Sequence, residues 1–150
     1  MRYCKNYNTA MDALQEGFIK VFSHIQSFRG DSKFETWLTR IIIHAALNEI
    51  KKNQKYYIND LEDYTETASD SLIANPKVVS KMSYDELILL LQKLPDGYRV
   101  IFNMYVVEGF SHKEIAESLG IQEGTSKSQL NRARKMLQSL IHKQAQVNHA

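Results

Sequence analysis

The stretch FSHKEIAESLGIQEGTSKSQLNRARKML, Phe110 to Leu137, leaves fewer folding options than any other part of the chain. Ser111 and Glu114 form an S-x-x-E pair. The serine hydroxyl can accept from the amide three residues on while the glutamate reaches back to the serine's own amide, so a helix starts here. Ile115, Ala116 and Leu119 recur at helical spacing and face inward. Gly120 ends the helix as a residue free to take positive φ. Ile121 reads as a plug between helices, Gln122 to Gly124 as the turn, and a longer helix begins near Thr125. A small alanine in the first helix and a glycine in the turn let two axes cross closely, and together these features predict a helix-turn-helix.

The second helix carries Lys127, Arg132, Arg134, Lys135 and Lys143, with Glu123 at its start as the only nearby acid. Such a helix suits the phosphate-lined major groove of DNA. The plainer alternative is a helical hairpin with a solvated charged face. The joint occurrence of serine cap, alanine, glycine, plug and basic second helix favours DNA binding over that alternative.

Composition bounds the remainder. With 150 residues, 43% of them hydrophobic, the chain can bury one good core or two small ones. A net charge of +2 is too small to establish a nucleic-acid partner, and its distribution says more: basic ends and an acidic middle. Cys4 is the single cysteine, so no internal disulfide forms and a reducing cytoplasm fits. No apolar run approaches a membrane span and the first residues lack the layout of a secretion signal, so a soluble cytoplasmic protein is expected. Two prolines, six glycines and recurring helical periodicity predict an all-α fold of two small helical domains joined by a flexible acidic linker.

Taken in order, Thr9 is the expected cap of a helix whose apolar stripe is Met11, Leu14, Phe18, Val21, Phe22 and Ile25. Its other side carries Asp12, Gln15, Glu16, Ile19 and Lys20, an interaction surface or a solvated face rather than an acid-base pair. SFRGDSK, Ser27 to Lys33, breaks the pattern with a sharp turn at Gly30, and Ser32 with Glu35 offers a second capping box. The next helix is predicted from about Lys33 to Asn53, burying Phe34, Trp37, Leu38, Ile41, Ala45 and Ile50 against the first in an antiparallel pair. One side of it is polar and basic: Lys33, Arg40, His44, Asn48, Lys51 and Lys52, with Lys55 beyond. Phe28 and Arg29 add to this side. Cations interleaved with aromatics are what single-stranded nucleic acid requires, although Phe34 and Trp37 individually are expected to be core. Periodicity fades from Tyr57 to Lys81 among Asp60, Glu62, Asp63, Glu66 and Asp70, the predicted acidic linker. Ser83 and Glu86 then cap a helix carrying Leu87, Leu90, Leu91 and Leu94 that stops at Pro95. Val100, Ile101, Met104 and Tyr105 continue the stripe to Gly109. The expected boundaries are therefore 1–56, 57–81 and 82–143.

DALQEGFIKVFSHIQSFRGDSKFETWLTRI and LQKLPDGYRVIFNMYVVEGFSHKEIAESLGIQEGTSKSQLNRARKML, in this order across an acidic linker, resemble regions 2 and 4 of the extracytoplasmic-function (ECF) class of bacterial RNA polymerase sigma factors. The resemblance implies a sigma factor that joins core RNA polymerase and directs promoter-specific initiation. It implies that Asp12, Leu14, Gln15, Glu16 and Lys20 meet the polymerase clamp helices. Phe28, Arg29 and Lys33 fall in the loop that captures a base flipped from the minus-10 element, with Arg40, His44 and Asn48 on the adjoining helix. Thr125, Lys127, Ser128, Gln129, Asn131 and Arg132 align with groove-facing positions at the minus-35 element, while Arg134 and Lys135 suit phosphate or the polymerase flap. An anti-sigma factor is an implied partner. The chain also departs from the family. Met1 to Tyr7 resembles only the end of its first helix, Gly17 sits mid-helix at a cost of about 1 kcal/mol, Ser126 stands where an apolar residue is usual, and Gln129 where arginine is frequent.

Two other readings compete. One is a stand-alone helix-turn-helix regulator binding a palindromic operator as a dimer, with half-sites about 34 to 36 Å apart. The other is a helical adaptor with no DNA role. His24, His44, His112 and His142 are scattered with no metal-ligand or triad spacing, so neither enzyme activity nor a cofactor is expected.

Overall fold

The computed structural model describes residues 2–53 and 83–147, and among these all regular structure is helical. They fall into two compact units, 3–53 and 83–147. The acidic stretch 57–81 and Lys55 lie outside the described residues.

The N-terminal unit is a helix pair, α1 (Tyr7–His24) and α2 (Phe34–Asn53), joined by a 3-10 turn (Ile25–Ser27) and the Gly30 loop. Helix α1 begins earlier than expected. Asn6, not Thr9, is its cap, with the side-chain oxygen accepting from the Thr9 amide at 2.8 Å. Asparagine outranks threonine as a cap, and its position lets one more turn form.

The two helices pack on each other, but of the expected stripe only Val21 is buried. Ala13, Gly17 and Val21, four residues apart, are the buried positions of α1. A Cβ on Gly17 would lie 2.5 Å from the Ile42 side chain and 3.5 Å from the Ala45 Cβ, so the mid-helix glycine permits the close approach of the axes. With small residues at the crossing, the large apolar side chains fall outside it. Phe22 is 75% exposed, and Leu14, Phe18, Ile19 and Ile25 also face solvent.

In α2 the buried residues are Ile43, Ala45, Ala46, Leu47 and Ile50. Trp37, Leu38 and Ile41 are half-buried, and Phe34 is exposed rather than core. The Ser32 hydroxyl turns to the Lys33 carbonyl at 3.4 Å instead of forming the expected box with Glu35.

The C-terminal unit contains α3 (Tyr84–Gln92), α4 (Asp96–Phe102), a π-helical turn (Asn103–Val107), α5 (His112–Leu119) and α6 (Glu123–Val147). Helix α6 packs against α3, α4 and α5. Leu91, Leu94, Tyr98 and Ala133 form a core cluster bordered by Ile88, Phe102, Met136, Leu137 and Leu140. Val100, Ile101, Met104 and Ile115 are completely enclosed.

The Ser83 capping box forms as expected, with the Ser83 amide donating to Glu86 at 2.7 Å and the Glu86 amide to the Ser83 hydroxyl at 3.3 Å. Two features of this unit were not anticipated. Arg99, 1% exposed, pairs with Asp96 and donates to the Leu94 carbonyl at 3.2 Å, tying α4 to the turn that follows α3. The helix expected to run unbroken to Gly109 widens after Phe102, where the Glu108 amide bonds the Asn103 carbonyl five residues back at 3.0 Å.

Candidate nucleic-acid interface

The helix-turn-helix is assembled by local chemistry. The Ser111 amide donates to the Glu114 carboxylate at 2.8 Å and the Glu114 amide to the Ser111 hydroxyl at 3.2 Å, which fixes the start of α5. Gly120 at φ 71° ends it, and the amides of Gly120 and Ile121 both return to the Ala116 carbonyl, at 2.9 and 3.1 Å. Helix α6 starts at Glu123 rather than near Thr125, so Gly124 lies within its first turn. A Cβ there would meet nothing within 4 Å, and the crossing therefore does not depend on this glycine.

The packing of α6 sorts the expected DNA contacts by face. Ser126, Gln129, Leu130 and Ala133 point into the unit. Lys127, Ser128, Asn131 and Arg132 are exposed in one continuous stripe, flanked by half-buried Thr125 and Lys135. Gln129, expected in the groove, is 3% exposed and sits on the inner face, because it follows Ser126 by three residues on the buried side. Lys127 bonds Glu123 one turn back at 2.7 Å, and that bond holds the Glu123 carboxyl below its ordinary range.

A cluster that sequence periodicity does not reveal joins three elements. The His112 Nδ1 lies 2.9 Å from the buried Ser126 hydroxyl, bridging α5 and α6. Its ring stacks on Tyr105 of the π-helical turn, centroids 4.4 Å apart at 22°, and the Arg134 guanidinium lies 5.8 Å from the centre of the Tyr105 ring. Burial first, then Lys127 and Arg134 against the opposing pull of Glu123, hold His112 below its ordinary value of 6.5. The one sequence signal was Ser126 itself, a hydroxyl at an inward position that needs a partner.

In the N-terminal unit, Phe28, Phe34 and Trp37 pack ring on ring. Phe28 and Phe34 meet edge-on at 5.6 Å, and Trp37 lies 5.3 Å from Phe28 and 5.7 Å from Phe34. Exposed Arg29 and Lys33 lie beside this cluster in sequence, on a loop turned by Gly30 at φ 77°. Arg40, His44 and Asn48 follow at four-residue intervals, exposed along one side of α2. Desolvation, then Lys51, Arg40 and Lys20, hold the His44 imidazole below its ordinary value, so this face is positive even with the histidine neutral.

On α1, Asp12, Leu14 and Gln15 are exposed, while Glu16 and Lys20 are half-buried and paired at 3.2 Å. Glu16, Lys20, Asn48, Lys51 and Lys52 line an open groove of about 430 Å³. Asn48, expected on the DNA side, thus shares a groove with two residues expected to meet protein. Among the described residues, no group of three or more His, Cys, Asp or Glu is placed to hold a metal ion, and no helix is long and apolar enough to cross a membrane.

Comparison with known proteins gives matches along most of the chain. Residues 1–56 match the family model of sigma-70 region 2, and residues 84–137 that of sigma-70 region 4. The ECF RNA polymerase sigma factor SigW of Bacillus subtilis is 32% identical, covering 93% of this chain and 79% of that protein. The ECF RNA polymerase sigma-E factor of Haemophilus influenzae is also 32% identical, covering 89% and 75%. Among solved structures, the sigma factor RpoE of Bartonella quintana, in complex with the anti-sigma factor NepR, is similar in fold. Its TM-score is 0.61 at 23% identity, over 94% of this chain and 86% of that one.

Proposed function

This chain belongs to the ECF class of RNA polymerase sigma factors, which direct transcription initiation, and from that premise we propose how its parts divide the work. The unit 3–53 binds core polymerase through the α1 side bearing Asp12, Leu14, Gln15, Glu16 and Lys20, against the clamp helices. The same unit takes single-stranded DNA of the minus-10 element on Phe28, Arg29, Lys33, Arg40 and His44, with Asn48 at the border of the two surfaces. Flipping a base out of the stack costs a few kcal/mol, which ring stacking and phosphate contacts offset. The second unit lays α6 in the major groove at the minus-35 element, reading bases and phosphates with Lys127, Ser128, Asn131 and Arg132, and with Thr125 and Lys135 at the edges.

The observation that carries this reading is the exposed polar stripe of α6, backed by a buried face and a capped partner helix, in a chain that matches both sigma regions. Each unit alone holds DNA weakly, and tethering to polymerase raises the effective concentration at both elements. The chain acts by binding, without enzymatic activity of its own, in the cytoplasm where its polymerase is. An anti-sigma factor covers the polymerase-binding side when the factor is off, a reading supported by the exposed Phe18, Ile19 and Phe22 of α1.

Transcription in vitro tests this. Core polymerase supplied with the chain is expected to yield transcripts from a small promoter set that core alone does not produce. A chain that neither binds core nor changes the start sites contradicts it.

A further inference from the structure

The Tyr105, His112, Ser126 and Arg134 cluster lies at the junction of the helices that the preceding reading assigns to duplex DNA, and apart from the phosphate or flap contact expected of Arg134 no role given so far uses it. We propose that His112 is a proton-linked positioning residue of the helix-turn-helix, tying α5 to α6 in both protonation states and adding a positive charge beside Lys127 and Arg134 when duplex phosphates draw a proton onto it. The inference rests on α6 being the duplex-reading helix.

Geometry supplies the tie. The Ser126 hydroxyl is fully enclosed, and His112 Nδ1 stands 2.9 Å from it. With neutral imidazole, the hydroxyl donates to Nδ1 and the ring proton resides on Nε2. With imidazolium, Nδ1–H donates to the hydroxyl oxygen instead. The bond survives with its polarity reversed, so protonation adds charge without releasing the helix. Stacking on Tyr105 at 4.4 Å holds the ring plane while this happens.

Electrostatics supplies the linkage. The groups acting on His112 are Lys127, Arg134 and Glu123 from α6, with the Tyr105 ring packed against it from the π-helical turn. In free protein, burial and the two cations disfavour the imidazolium. A DNA duplex places phosphates against those cations, offsets their repulsion and raises the affinity of His112 for its proton. The bound state therefore takes up a proton in the window between the free value, which lies below 6.5, and the higher bound value. Affinity rises as pH falls through that window and is flat above it. Each unit of difference between the two values corresponds to about tenfold in affinity.

The test uses the full chain and a labelled mixed-sequence DNA duplex at low salt. Wild type is expected to bind about three- to tenfold more tightly near about pH 5.5 than near about pH 7.5. H112Q, which keeps a hydrogen-bonding side chain without a titrating proton, matches wild type at the higher pH and gains little at the lower one, while H142Q keeps the gain. A gain retained in H112Q, or no gain in wild type, overturns the proposal and leaves the reading of α6 intact. Absence of salt-sensitive duplex binding at every pH overturns both. The imidazole resonance of His112 in wild-type protein gives a second readout independent of variant folding. Its midpoint rises when duplex is added, and an unchanged midpoint contradicts the proposal.

Discussion

The two units solve the burial problem in opposite ways. In the N-terminal pair, small residues meet at the crossing, Ala13 and Gly17 from α1 with Ala45 from α2, and the large apolar side chains of α1 stay outside. In the C-terminal unit the large residues Leu90, Leu94, Ile101, Met104 and Ile115 are inside, and the exposed side of α6 is polar. A surface that keeps Phe22 and Ile19 in water is suited to a protein partner, which recovers the cost of their exposure on docking. A surface of Lys127, Ser128, Asn131 and Arg132 is suited to DNA, where phosphate supplies affinity and base edges supply discrimination.

The largest test of that contrast is the buried ion pair. Replacing Arg99 by Ala removes the buried ion pair to the Asp96 carboxylate, 8% exposed, and the donor to the Leu94 carbonyl. The expected loss is about 3 to 5 kcal/mol, seen in denaturant unfolding monitored on the C-terminal unit. A loss under about 1 kcal/mol would mean the pair is better hydrated than the structure shows.

A matched pair of truncations sharpens the comparison next. Ile101→Ala, inside the second unit, is expected to cost about 2 to 5 kcal/mol of stability. Phe22→Ala, 75% exposed, is expected to change stability by no more than about 0.5 kcal/mol. The same change weakens binding to core polymerase, measured by competition for core with unmodified chain. Equal stability losses in the two variants would erase the distinction.

Much of the second unit was legible in sequence because its signals are local. A serine with glutamate three residues on defines its own capping geometry, and Gly120 needs only its own backbone freedom to end α5. The failures arose where tertiary packing decides. The α1 stripe was read by hydrophobicity, but Gly17 shifted the crossing to the small-residue face. Gln129 was read by family alignment, but its spacing from Ser126 turns it inward. The pairing of His112 with Tyr105 was not legible because it depends on the π-helical turn and the helix crossing, which no single period encodes. Phe28, Phe34 and Trp37 were recognised as a set, while the exposure of Phe34 was not, since an aromatic at helical spacing is more often core.

The central claim is the division of labour between the units, and the most direct measurement maps protection and strand opening by polymerase carrying this chain on one of its own promoters. Replacing Lys127 and Arg132 together by Ala is expected to abolish protection upstream at the minus-35 element while opening persists on a template already melted at minus-10. Replacing Phe28 and Trp37 by Ala is expected to leave upstream protection and abolish opening. If both variants lose both signals together, or either loses the signal assigned to the other, the division of labour is contradicted.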